Sequence, residues 1–119
     1  MDKVNLKEKF ESFSDYWSPK LIGEVDDFDV KVVKSKGEFV WHHHENEDEL
    51  FLLIKGKLVI KLRDKDITLN PGEMFIVPKG VEHMPVAVEE CHVLMLERRG
   101  VVNTGNVRNE RTVETYQKI

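Results

Sequence analysis

Turn signals recur so closely along this chain that long helices have little room to form. Gly56 interrupts "IKGKLVI", Arg63-Asp64-Lys65-Asp66 follows, "LNPGE" sets Pro71-Gly72 where a type II turn wants them, and "PKG" turns again at Pro78 to Gly80. The runs between these signals are apolar or alternating. Leu58, Ile60 and Leu62 alternate with other residues, and Met74 to Val77 is apolar. A helix takes about ten residues or more to show its period, whereas strands run roughly four to eight. Upstream, Val30, Val32 and Val33 sit between polar residues, and Glu38 to His44 is strand-like. Leu50 to Ile54 is continuously apolar, which predicts burial on both faces. Val93 to Leu96 adds one more strand. Short strands with regular turn signals predict an all-β chain, an antiparallel sandwich or barrel.

Two segments depart from that pattern. Asn5 to Phe13 reads as a short N-terminal helix, with Leu6, Phe10 and Phe13 on one face and Asn5 and Glu8 as an N-cap box. The tail from Gly100 onward is polar; Thr104-Gly105-Asn106 reads as a turn, in a tail that wraps the domain or a partner subunit. Phe51, Leu53, Met74 and Ile76 are expected in the core, Trp17 and Trp41 in packing or a dimer interface, and Glu97-Arg98-Arg99 at a solvated strand end.

Composition narrows the function classes. A chain of 119 residues with 40% hydrophobic residues suits a single domain over 1–119 with one core. The net charge is -4, with acids and bases interspersed and no basic stripe, so no nucleic-acid partner is expected. The N-terminal "MDKVNLKEKFESF" lacks a continuous apolar run, so neither a signal peptide nor a membrane partner is expected. The one cysteine, Cys91, has no internal disulfide partner and reads as a small buried hydrophobe. A cytoplasmic protein is the expectation.

The densest chemistry lies in "WHHHENEDEL", residues 41–50. On a strand, side chains alternate faces, so His42 and His44 point one way while Trp41 and His43 point the other. Two imidazoles at i and i+2 can chelate one ion, and imidazole with carboxylate suits zinc, iron, nickel or manganese. A turn at "ENED" leaves Glu49 at the head of the next strand, where it can complete the site, with Glu45, Glu47 and Asp48 solvated. His83 follows the Pro78–Gly80 turn and is well placed to add a fourth ligand. His92 has no motif partner and reads as a structural histidine.

These spacings carry a family resemblance. His42-x-His44, four residues, Glu49, six residues, Gly56 is similar to the first cupin motif; Gly72, five residues, Pro78-x-Gly80, two residues, His83 is similar to the second. The chain thus resembles a small single-domain cupin over about residues 28–97. It departs from the usual pattern at Gly37, one residue closer to His42, and at Ala87, where many cupins have Asn. The resemblance implies a double-stranded β-helix, a jelly-roll-like barrel, whose interior divalent transition metal (Fe, Mn, Ni or Zn) is held by His42, His44, Glu49 and His83. It implies a small-molecule ligand or substrate and a homodimer. The activities it admits are a metal-dependent dioxygenase, a sugar isomerase or epimerase, and a non-enzymatic binding or sensor module; a fold alone does not choose among them.

Overall fold

A computed structural model describes residues 2–119. Helix α1 (Leu6–Glu11) is followed by β1 (Lys20–Val25), β2 (Phe28–Glu38), β3 (Glu49–Lys55), β4 (Leu58–Leu62), β5 (Asp66–Leu69), β6 (Met74–Val77), β7 (His83–Arg98) and β8 (Gln117–Lys118). The architecture is the expected jelly roll with one short helix. The Asn5 side chain caps α1 by accepting from the Glu8 amide at 3.0 Å, and Phe10 is buried against the His92 ring. Among the described residues, no helix is long and apolar enough to cross a membrane.

Strand β7 organises the rest. It pairs antiparallel with β2 along most of its length, with β4 through its first residues and with β3 through its second half. At its middle it bends: Val88, Glu89 and Glu90 are exposed, and the registers of β2 and β3 slip at Ser35/Gly37 and Leu53/Lys55. The β3–β4 turn tucks against this bend. A Cβ added at Gly56, whose φ is 92°, would stand 2.9 Å from both the Cys91 Cβ and the Glu90 carbonyl oxygen, so only glycine fits.

The interior is filled from β2, β3, β4 and β7, with Val33, Phe51, Leu53, Leu58, Ile60 and Val93 among its buried side chains. Each such side chain contributes about 1.5–3 kcal/mol relative to exposure. Three expectations are corrected here. Leu50 to Ile54 alternates, with Phe51 and Leu53 buried and Leu50, Leu52 and Ile54 only half-buried. On β6, Met74 and Ile76 face outward while Phe75 and Val77 face in, because β6 pairs with β3 alone and lies at an edge. The strand expected over Glu38–His44 ends at Glu38; beyond it the chain runs extended, with a single bridge between His42 and His83.

Candidate metal centre

Two strand starts and one extended segment converge on one point. His42 and His83 face each other across a narrow bridge, each amide donating to the other's carbonyl at 3.0 and 2.9 Å. Glu49 opens β3 and His83 opens β7; the two strands run antiparallel and β7 bends at its middle, and the two side chains meet with Oε1 of Glu49 3.0 Å from Nε2 of His83. His44 sits in the extended segment just before the "ENED" turn, and it shares the inward face of His42 although that segment is not a regular strand. All four side chains are buried, and one ligand atom from each lies within 4.8 Å of the others. His43 points away and pairs with Glu45 at 3.0 Å. His42 and His44 thus face the cluster and His43 faces the other way.

The donors are aimed by their neighbours. Nδ1 of His42 lies 2.9 Å from the Val40 carbonyl, and Nδ1 of His83 lies 2.9 Å from the Val81 carbonyl. A carbonyl can only accept, so each Nδ1 carries the proton and each Nε2 is left as the ligand atom. Nε2 of His83 then faces Oε1 of Glu49 at 3.0 Å, and Nε2 of His44 faces Oε2 at 3.0 Å. The His44 contact has the distance of an ion pair without the angle of a hydrogen bond, leaving its Nε2 buried and without a hydrogen-bond partner. Two ligand atoms about 2.1 Å from one ion and at right angles stand about 3.0 Å apart. The donor set and the orphaned nitrogen both fit a metal ion.

Electrostatics agree with a site that accepts a cation. Burial first, and then the neighbouring His83, push the His42 imidazole down to about 4, so it is neutral and ready to ligate at pH 7. For His44, burial is outweighed by the Glu49 carboxylate beside it, and its pKa is raised. Burial would raise Glu49, but His44 and His83 hold it well below the usual carboxylate range.

Behind Glu49 lies a pair of which sequence reading misplaced one member, Glu97, and passed over the other, Lys31. Glu97 is not at a solvated strand end: it is 2% exposed, and its Oε1 accepts from the equally buried Lys31 Nζ at 3.1 Å. Burial, then the charge of Glu49, raises the Glu97 pKa well above normal. Lys31 in turn lies 3.7 Å from the centre of the Tyr116 ring. The phase of β7 contained the signal, since Cys91, Val93, Met95 and Glu97 share one buried row. The other row, Leu94 and Leu96, is also apolar and masked it.

The tail wraps back over the histidine loop. The His43 amide donates to Asn106 Oδ1 at 2.9 Å, and the Asn106 amide donates to the His43 carbonyl at 3.1 Å. Gly105 presses so closely that a Cβ there would collide with the His43 carbonyl and stand 3.2 Å from His42 Cδ2. Buried Asn103 and Thr104 anchor the turn, Asn103 through the Val113 amide at 2.7 Å. Elsewhere His92 bonds Glu90 at 2.7 Å, and burial pushes the Cys91 thiol up to about 11, so neither belongs to the centre.

The Cupin_2 family, described as the cupin domain, matches residues 29–97. The chain belongs to that family. A cupin-2 domain containing protein from Shewanella frigidimarina is 49% identical, with a TM-score of 0.80, covering 81% of this chain and 94% of that one. The uncharacterized protein YdbB of Bacillus subtilis is 38% identical over 66% of this cupin and 64% of its own length. The 3-hydroxyanthranilate 3,4-dioxygenase of Xenopus laevis is 26% identical over 81% of this chain and 36% of its own. This cupin therefore spans from about a third to just under two thirds of those two curated relatives.

Proposed function

We propose that His42, His44, Glu49 and His83 hold one divalent transition metal ion, and that the cupin acts through it on a small organic molecule as a metal-dependent dioxygenase. The observation that carries the reading is the convergence of four buried ligand atoms with two Nδ1 protons already engaged by carbonyls. Iron(II) in such a set supplies redox chemistry with dioxygen, which zinc cannot. The chain's own residues hold the donors in place: Val40 and Val81 fix two rings, and Glu49 offers one oxygen to each side. The likeness to 3-hydroxyanthranilate dioxygenases favours dioxygen chemistry over the other cupin activities.

A second reading, a binding or sensor module without turnover, has one observation in its favour. The apolar cavity beside His42 carries no acidic or basic side chain other than His42 itself. A sugar isomerase or epimerase fits less well, because Ser35 and Asn103 are the only other polar side chains there to meet hydroxyls. Metal analysis of protein made without an affinity tag, then iron(II) loading and an oxygen-uptake screen of diketones, catechols and thiols, separates the readings. Uptake with one of them supports the oxygenase; bound metal and bound ligand without uptake supports the module. Pairing into a homodimer is proposed alongside, through the free edge of β6 with its exposed Met74 and Ile76. A monomer mass by sedimentation at micromolar concentration overturns it.

A further inference from the structure

The wall that faces His42 is made of rings and aliphatic groups. Trp17, Phe39, Phe51, Val33, Val93 and Met95 line a cavity beside His42. No Lys, Arg, Asp or Glu contributes to the lining. Trp17 and Phe39 stack at 4.8 Å between centroids, and Phe39 meets the His42 ring edge-on at 5.4 Å. One aromatic surface therefore runs from the barrel end to a metal-ligand candidate.

Trp17 is held there against its backbone preference. Its φ is 57°, in the left-handed region that bulky side chains rarely adopt. The Trp17 amide donates to the Lys34 carbonyl and its indole Nε1 to the Lys36 carbonyl, both at 2.8 Å. Strain of this kind persists only where surrounding contacts impose it, and it gathers at ligand clamps. The bonds satisfy the polar atom of the ring and leave its apolar body to the cavity.

We propose that this cavity binds a small, flat, uncharged apolar molecule, with Trp17 and Phe39 setting the specificity, and that it rejects anions. The inference deepens the proposed function and rests on it for the donor end of the ligand alone; the apolar end rests on the cavity. A carboxylate or phosphate entering this wall would lose its water and meet no protein cation in return. The 3-hydroxyanthranilate of the dioxygenase relatives is such an anion, so the apolar wall separates this chain from them in ligand class.

The test uses the full chain carrying Trp41→Phe, so that Trp17 is the sole indole, with and without zinc loading. The probes are toluene, catechol and 3,4-dihydroxybenzoate. Calorimetry gives affinities and Trp17 emission reports the location. The expected result is that toluene and catechol bind and shift the emission, while 3,4-dihydroxybenzoate binds at least tenfold more weakly than catechol. Equal or tighter binding of the benzoate overturns the inference and leaves the metal reading untouched. Zinc uptake without binding of either neutral ring does the same. Toluene binding in protein that takes up no zinc upholds the cavity and sinks the metal reading instead. Trp17→Gly, which suits the left-handed backbone, and Phe39→Ala should each weaken toluene at least tenfold while sparing zinc affinity. If both bind toluene like the parent, Trp17 and Phe39 do not set the specificity and the proposal fails.

Discussion

Along the inward rows of β2 and β7, two neighbouring stretches differ sharply. Ser35 and Val33 on β2, with Val93 and Met95 on β7, line an apolar cavity. Two residues further along each strand, Lys31 and Glu97 form a closed ion pair at the Glu49 side of the same centre. Both stretches are buried, yet one is built to receive a molecule and the other to hold charge. The centre thus takes its electrostatics from one flank and its shape selection from the other. A buried ion pair is costly to desolvate and seldom adds net stability over an apolar replacement. Its placement against Glu49 gives a local reason for keeping it.

The largest expected effect breaks the charged stretch. Lys31→Met leaves Glu97 buried without its partner and should cost about 3–5 kcal/mol in urea unfolding. Lys31→Met with Glu97→Leu should recover most of that loss while weakening metal affinity, read by competition with a chromophoric chelator. A double variant no more stable than Lys31→Met would show that the pair is more than a matched set of charges.

Acid should act next, through His42. Its folded pKa of about 4 lies below the ordinary value of 6.5, so the unfolded chain binds this proton first as pH falls. Stability of the metal-free protein is therefore lost from about pH 6.5 down to about 4, by about 3 kcal/mol in all. The raised pKa of His44 acts in the opposite sense: its contribution is full below the ordinary value and fades as pH rises through the folded pKa. Urea midpoints across this range should fall in the parent and flatten in His42→Gln. Parallel curves for the two proteins would detach the limb from His42.

Single ligand removals should come third. His42→Ala, His44→Ala, Glu49→Ala and His83→Ala should each weaken metal binding roughly a hundredfold, about 2.7 kcal/mol. His43→Ala and Glu47→Ala should leave it nearly unchanged. Loss of metal in His43→Ala with retention in His42→Ala would overturn the assigned facing of the histidine loop. The smallest effect belongs to the tail. Gly105→Ala should displace His43 and with it His42, weakening metal binding about tenfold, or 1.4 kcal/mol. Unchanged affinity would mean that the tail rests on the loop without positioning it.

Local rules made the histidine loop legible and failed where tertiary context reversed them. Alternation separates His42 and His44 from His43 because extended chain has period two even outside a paired strand. The glycine and proline turns gave the β architecture and placed Glu49 and His83 at strand heads. Lys31 escaped notice because a lysine among valines reads as the solvent phase, whereas here it is the inward phase, satisfied by Glu97. Met74 and Ile76 misled because an edge strand can expose apolar side chains that pattern alone assigns to a core. The contact of Gly105 with the histidine loop joins residues about sixty positions apart, and no periodicity in either segment announces it.

Strand β7 also dictates when the chain can fold. Its partners β2, β3 and β4 all precede it, and Lys31 meets Glu97 across a separation of 66 residues. A chain growing from its N-terminus must hold three strand edges open until β7 emerges. Loop closure over such distances precedes any reward from pairing, which places assembly in the millisecond-to-second range typical of non-local β topologies. His83 is the first residue of β7, so the last ligand of the centre arrives with the strand that closes the barrel. The four-residue cluster is therefore complete only once the strand that closes the fold is in place.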